Sequence, residues 1–249
     1  MDGMRMVVAG GTGLVGKLVV EEARKAGHEV VVISRSRGVD LTTGAGLDEA
    51  LRGADVVIDV SNIETLSGKK ATGFFETVTR NLRAAEERAG VKHHVLLSII
   101  GVDRVEWGYY QAKLNQERVA LAGPVPATVL RAAQFHEFAL QSLTRMGGPI
   151  AVVPSMLSQP VAAREVAAEL VRLAAGDPVG MAPEIAGPEP LRMADLVRKV
   201  SRRCGPRKWV LGFPMPGRAG RAMATGGNLP TGPGLRGRQT FDEWLNELR

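Results

Sequence analysis

The chain has 249 residues, 45% of them hydrophobic, and a formal net charge of +6, which suits one large α/β domain or one domain with a small lobe. No apolar run is long enough to cross a bilayer, and a first strand that starts almost at once leaves no signal-peptide pattern, so a cytoplasmic protein with no membrane partner is expected. The single Cys204 excludes an internal disulfide, and His28, His93, His94 and His136 are too scattered to suggest a metal site.

The opening reads as strand, glycine turn, helix, strand. An apolar run at 6–9 leads into Gly10-Gly11-Thr12-Gly13-Leu14-Val15-Gly16. Leu14, Val15, Leu18 and Val19 then recur at helix spacing until Gly27, and a second apolar run at 30–33 ends in Ser34-Arg35-Ser36-Arg37. That order predicts the first βαβ unit of a dinucleotide-binding fold. Its glycines let the chain reverse, let bare backbone approach a pyrophosphate, and let the helix pack close to the sheet. Two registers fit, Gly11-x-Gly13-x-x-Gly16 and Gly10-x-x-Gly13-x-x-Gly16. An NAD binder usually places Asp or Glu at the end of the second strand to hold the ribose hydroxyls. Here that position is Ser34 or Arg35, with Arg37 close behind. A guanidinium suits a 2′-phosphate, and one charge-assisted hydrogen bond contributes about 1.5–3 kcal/mol, so NADP(H) is expected ahead of NAD(H).

A polar stretch at 38–46 and a short helix at 47–51 precede a continuous apolar strand at 54–60, of the kind buried on both faces of a parallel sheet. It runs into Ser61-Asn62, small polar residues at the strand end that faces a cofactor cleft. Helices follow at 74–89, 109–122 and 134–146, alternating with strands at 95–100 and 127–130. This alternation predicts a Rossmann-type, doubly wound parallel sheet with helices on both faces, residues 1–249 forming a single domain. Residues 150–249 add a strand at 150–153, helices at 161–174 and 191–204, and a strand at 208–211. The glycine- and proline-rich 212–237 is expected as a loop-rich cover on the substrate side. A terminal helix follows, with Thr240 and Glu243 at capping-box spacing and an apolar face of Phe241, Trp244, Leu245 and Leu248. Basic residues thicken from Arg202 to Arg238 without a helix-turn-helix or aromatic interleaving, so no nucleic-acid partner is expected, and a positive balance also suits an anionic cofactor.

Tyr109 and Lys113 lie four apart on a predicted helix and share a face. A nearby ammonium favours the phenolate, which would lower the tyrosine pKa and make Tyr109 a proton donor to a carbonyl under reduction. Tyr110 is a rival on nearly the same face. Ser98, in the preceding strand, would donate a hydrogen bond to the same oxygen.

With these residues in place the chain resembles the short-chain dehydrogenase/reductase superfamily, in its atypical NmrA-like NAD(P)H-binding branch. The likeness rests on GGTGLVG at 10–16, SRSR at 34–37, VVIDVSN at 56–62, VLLSII at 95–100, YYQAK at 109–113, VLRAAQFHEF at 129–138, GPEPL at 187–191 and TFDEWL at 240–245. The resemblance implies Ser98, Tyr109 and Lys113 as the catalytic set, with Lys113 also on the nicotinamide ribose. It implies Gly10, Thr12, Gly13, Leu14, Val15 and Gly16 at the pyrophosphate, and Ser34, Arg35 and Arg37 at the 2′-phosphate. Asp40 and Leu41 would lie on the adenine side, and Ser61 and Asn62 beside the cofactor. Gln134 would sit at the nicotinamide end, and Trp107, Phe135 and His136 at the substrate. Ala132 stands where the family's typical proline falls, and the gap from Ser98 to Tyr109 is short for a conventional dehydrogenase. The expected activity is NADP(H)-dependent reduction of a small carbonyl or quinone-like compound. The alternatives are an NADP(H)-binding redox sensor without turnover, and a nucleotide-sugar epimerase or dehydratase. Monomer and homodimer both remain open.

Overall fold

The computed structural model describes residues 3–248. In chain order its elements are β1 (Arg5–Ala9), α1 (Leu14–Lys25), β2 (Glu29–Ile33), a 3₁₀ turn (Arg35–Arg37), α2 (Leu47–Ala50), β3 (Val56–Asp59), α3 (Gly68–Ala89), β4 (His93–Ile99), α4 (Gly108–Leu121) and β5 (Ala127–Ala132). There follow α5 (Glu137–Thr144), β6 (Ile150–Pro154), β7 (Leu157–Ser158), α6 (Ala163–Ala174), β8 (Gly180–Met181), β9 (Ile185–Ala186) and β10 (Leu191–Arg192). The chain closes with α7 (Met193–Arg203), β11 (Trp209–Phe213), α8 (Gly217–Ala224), β12 (Leu235–Arg236) and α9 (Phe241–Glu247). They gather into two compact units, one holding the chain up to Ser98 with Gly108–Arg131 and Arg164–Ala182, the other Ile99–Trp107, Ala132–Ala163 and the chain from Pro183 on.

The first unit is built on a sheet in the order β2-β1-β3-β4-β5, with β8 beside β5. The β1–β2, β1–β3, β3–β4 and β5–β8 ladders are all parallel. β3 is buried along its whole length, as the unbroken apolar run predicts for a central parallel strand. Val7, Ile33, Leu47, Val57, Val78 and Leu82, drawn from β1, β2, α2, β3 and α3, form one core cluster. α3 starts six residues before the expected 74. The hydroxyl of Ser67 accepts the Lys70 N–H at 3.3 Å as its N-cap, and the Gly68-Lys69-Lys70 turn that follows carries no apolar period to announce it. Its far end is closed by Gly90 in the left-handed region, as a helix stop should be. α3 and α4 cross with their first residues in backbone contact, so a Cβ on Gly68 would lie 2.9 Å from the Gly108 Cα.

In the second unit β6 and β11 form a parallel two-stranded ribbon packed on α7, β7 pairs antiparallel with β10, and β12 pairs parallel with β9. The capping box at Thr240 and Glu243 is formed. The apolar face of α9 is buried through Phe241, Trp244 and Leu245. The stretch 212–237 is more regular than its composition suggests. It holds α8 and β12, because Gly220 lets the helix seat on the Met215 carbonyl, where a Cβ would stand 1.8 Å from the oxygen. No helix among the described residues is long and apolar enough to cross a membrane.

Candidate functional site

The first unit's sheet has its topological switch at β1. The chain leaves β1 through α1 to β2 on one side, and β3 lies on the other. Ligands of open α/β sheets bind where the strand order reverses, beyond the carboxyl ends of the strands. There Gly10 has φ +80°, and its Cβ would come within 2.9 Å of the Ser61 Cα. Gly10 N–H closes onto the Ile33 carbonyl at 3.1 Å, and Gly13 N–H onto the Gly10 carbonyl at 3.0 Å. A Cβ on Gly16 would lie 2.2 Å from the Gly10 oxygen, which pins α1 to the turn. The geometry therefore demands glycine at 10 and 16, and a Cβ at Gly11 would also press on Val32 at 2.9 Å, so the turn uses the glycines of both registers. α1 opens after Gly13 with no side-chain cap and no acidic residue in its first turn. Its first N–H groups and its positive dipole end are thus left to an anion. Thr12 and Gly13 are exposed and Leu14 partly so, whereas Val15 is buried and offers only its backbone.

β2 delivers the basic pair. Ser34 is buried and its hydroxyl bonds that of Ser36 at 3.0 Å. Arg35 and Arg37 sit in the 3₁₀ turn, which Gly38 ends in the left-handed region. Both are exposed, and neither guanidinium has a hydrogen-bond acceptor among the described residues. Arg37 also lines a hollow of about 630 Å³ along the outer side of β2. Asp40 instead serves its own loop. It accepts the Thr42 hydroxyl at 2.6 Å and N–H at 2.8 Å, which holds its carboxyl below the usual range, with the Arg35 charge helping. Leu41 packs in the core cluster, which leaves its backbone as all it can offer a ligand.

Beyond β3 the Ser61 N–H is fixed by Asp59 at 2.8 Å, while the buried Ser61 hydroxyl has no partner. Asn62 Oδ1 accepts both the Ile63 N–H and the Tyr109 hydroxyl. Tyr109 is half-buried against the edge of Phe75, ring centroids 5.6 Å apart. Burial, with the Glu64 charge, pushes its pKa up to about 12. That is the reverse of the expected lowering. The reason is where Lys113 goes: its ammonium donates to the Leu97 carbonyl at 2.8 Å and to Gln116, 4.7 Å above the Phe75 ring. Burial pulls Lys113 down to about 8. Gln116 passes the contact on to Asp59 and Thr79, each at 3.1 Å, so a buried chain runs from Lys113 to the Ser61 backbone. Ser98 is buried and donates to Glu117 at 2.5 Å. Glu117 in turn takes a bidentate grip from Arg131 at 2.8 and 2.9 Å. The hydroxyl expected on a substrate oxygen is thus committed to an internal ion pair. Asp59, Gln116 and Glu117 escaped the sequence reading. The one trace of them is a polar residue inside an apolar strand and two more just past Lys113.

The other expected site residues belong to the second unit. Gln134 is half-buried with its carbonyl accepting the Val161 N–H at 2.9 Å, and Phe135 bridges to the same residue. Trp107 is half-buried. His136, expected at the substrate, is wholly buried. Its Nε2 meets the Gln239 carbonyl at 3.1 Å and its ring packs edge-on to Phe241 and beside Trp244. It anchors the terminal helix and touches no open surface.

The first unit suits a nicotinamide dinucleotide on three counts: an uncapped helix end behind a glycine turn, an orphaned Ser61 hydroxyl beside it, and two exposed guanidiniums without a hydrogen-bond acceptor among the described residues at the next strand end. Comparison with known proteins supports an NAD(P)H-binding fold. An NAD(P)H-binding family model matches residues 36–175. The chain is 34% identical over 125 residues to the epimerase family protein SDR39U1 of Mus musculus, an alignment covering 46% of this chain and 41% of that protein. It spans less than half the length of the curated relatives it matches. In fold it is similar to the UDP-glucose 4-epimerase of Thermotoga maritima, with TM-score 0.72, 15% identity, and 98% and 97% of the two chains covered. It is also similar to an NADPH-dependent quinone oxidoreductase of Escherichia coli, with TM-score 0.64, 17% identity, and 98% and 99% covered. The chain belongs to the NAD(P)H-binding family.

Proposed function

We propose that this protein is an NADP(H)-dependent oxidoreductase that reduces a small quinone-like compound in the cytoplasm. The observation that carries the cofactor choice is the pair Arg35 and Arg37, exposed and without a hydrogen-bond acceptor among the described residues at the end of β2, where an NAD binder usually holds a carboxylate. The glycine turn and the first N–H groups of α1 would hold the pyrophosphate, and the two guanidiniums the 2′-phosphate. The bound cofactor supplies a hydride. Tyr109, steered by Asn62, is the one hydroxyl of the expected catalytic set at the surface of this unit.

Acid strength favours the quinone over a simple carbonyl. Burial pushes Tyr109 up to about 12 and Ser98 is tied to Glu117, so the site offers a weaker acid than an ordinary phenol at ~10, and an acceptor that needs less help from an acid suits it better. A quinone that accepts hydride leaves as a phenolate-type anion, of the same class as tyrosine at ~10, and takes its proton from water. The test is NADPH consumption against a panel of quinones and simple aldehydes or ketones, with NADPH and NADH dissociation constants measured beside it. Quinone-dependent oxidation and tighter NADPH binding are expected. Equal affinity for the two nucleotides would end the cofactor reading, and turnover of ketones as fast as quinones would end the substrate reading. The engagement of Ser98 and Lys113 also favours a second reading, an NADP(H)-binding redox sensor, for which NADPH binds and no acceptor consumes it.

A further inference from the structure

The ribbon of β6 and β11 has one finished face and one bare face. Register pairs Ile150 with Trp209, Val152 with Leu211 and Pro154 with Phe213, so these six side chains share a side. Ala151, Val153 and Val210 point the other way and are buried. The shared side is open: Trp209 is 77% exposed, Leu211 52% and Phe213 51%. Alternation normally puts polar residues on a solvent face. Here both strands are apolar on the side that faces solvent as well as on the side that faces α7.

Basic side chains predominate in the sequence on either side of β11, with Arg198 paired to Asp195 and Lys199 to Asp242. Between Asp195 and Asp242 the chain carries ten lysines and arginines and no carboxylate. Arg202, Arg203, Arg207 and Arg218 are exposed and have no ion-pair partner among the described residues. Arg198, Arg202, Arg207 and Lys208 line a shallow pocket whose wall is completed by Trp209. An aromatic and aliphatic stripe beside a basic pocket is the chemistry of an interfacial anchor: apolar groups enter the acyl boundary while cations meet lipid phosphates. A second copy of the chain suits the stripe less, because a two-fold contact would bring the same arginines against one another.

We propose that the outer face of the β6–β11 ribbon, with the basic pocket at its edge, docks this protein peripherally on an anionic lipid bilayer. The expectation of no membrane partner rested on the lack of a spanning segment, and peripheral attachment needs none. The proposal does not depend on the nucleotide site, which lies in the other unit.

The experiment is flotation of the full chain with vesicles of phosphatidylcholine alone, or of equal parts phosphatidylcholine and phosphatidylglycerol. Its size in solution is followed by sedimentation. The expected result is binding to the phosphatidylglycerol vesicles only, weakened by added salt. The double variant Leu211→Ser/Phe213→Ser should lose on the order of tenfold or more in partitioning. Arg202→Glu/Arg207→Glu should lose about fivefold per charge. Each variant should keep the parent's circular-dichroism melt, since the substituted side chains are exposed. Binding to both vesicle types alike, no binding to either, or variants that partition like the parent would each overturn the proposal. So would a dimer that Leu211→Ser/Phe213→Ser dissociates while the parent ignores vesicles, since the stripe would then belong to a second copy.

Discussion

The glycine cradle and the Ser98–Tyr109–Lys113 cluster lie in the same unit and were read from the same kind of pattern, yet their polar groups fare differently. In the cradle the donors are left open: the first turn of α1 is uncapped, and Arg35 and Arg37 have no acceptor among the described residues. In the cluster the donors are engaged internally, Ser98 by Glu117 and Lys113 by Leu97 and Gln116. A polar group that the fold leaves open is available to a ligand. One that the fold satisfies is holding the fold together, whatever its spacing suggests.

The sharpest way to break this contrast is to attack the engaged side. Glu117→Ala removes the bidentate acceptor of Arg131 and the acceptor of Ser98 and should cost about 3–5 kcal/mol in urea unfolding, with nucleotide affinity little changed. A loss near zero would mean that the network is not structural. On the open side, Arg35→Ala/Arg37→Ala should weaken NADPH binding on the order of ten- to a hundredfold and leave NADH binding unchanged, as calorimetry would read. Gly16→Ala places a Cβ 2.2 Å from the Gly10 oxygen. It should cost about 1–3 kcal/mol of stability and take nucleotide binding with it.

A finer probe is pH. The folded protein holds Lys113 at about 8, below its ordinary 10.5, so the unfolded chain keeps the proton to higher pH. Stability should therefore rise between about 8 and 10.5, and Lys113→Met should abolish that rise in a series of unfolding curves. The smallest effect expected is on turnover. Tyr109→Phe should slow quinone reduction less than about tenfold, whereas a true proton donor contributes 10²–10⁴.

Much of this was legible beforehand. The strand–turn–helix–strand order from residue 5 to 37 appears with its boundaries within a residue or two, because apolar period and glycine placement both mark it. Positive φ at Gly10 adds a demand for glycine that spacing could not show. What stayed hidden depends on a third element. An i,i+4 rule sees Tyr109 and Lys113 on one helix but not the β4 carbonyl that captures the ammonium. His136 looked like a pocket residue from its motif, and only the docking of α9 shows that Phe241 and Trp244 enclose it. The Gly220 contact that seats α8 is likewise silent in a composition heavy with glycine.

Gly68 and Gly108 carry one last implication. Two absent methyl groups let the openings of α3 and α4 interlock backbone to backbone, and Tyr109 is the very next residue. The position of the phenol is therefore set by a joint between two helices as well as by its hydrogen bond to Asn62. A bulkier residue at 68 would lever α4 outward and draw the phenol off Asn62 without altering a single group of the cradle.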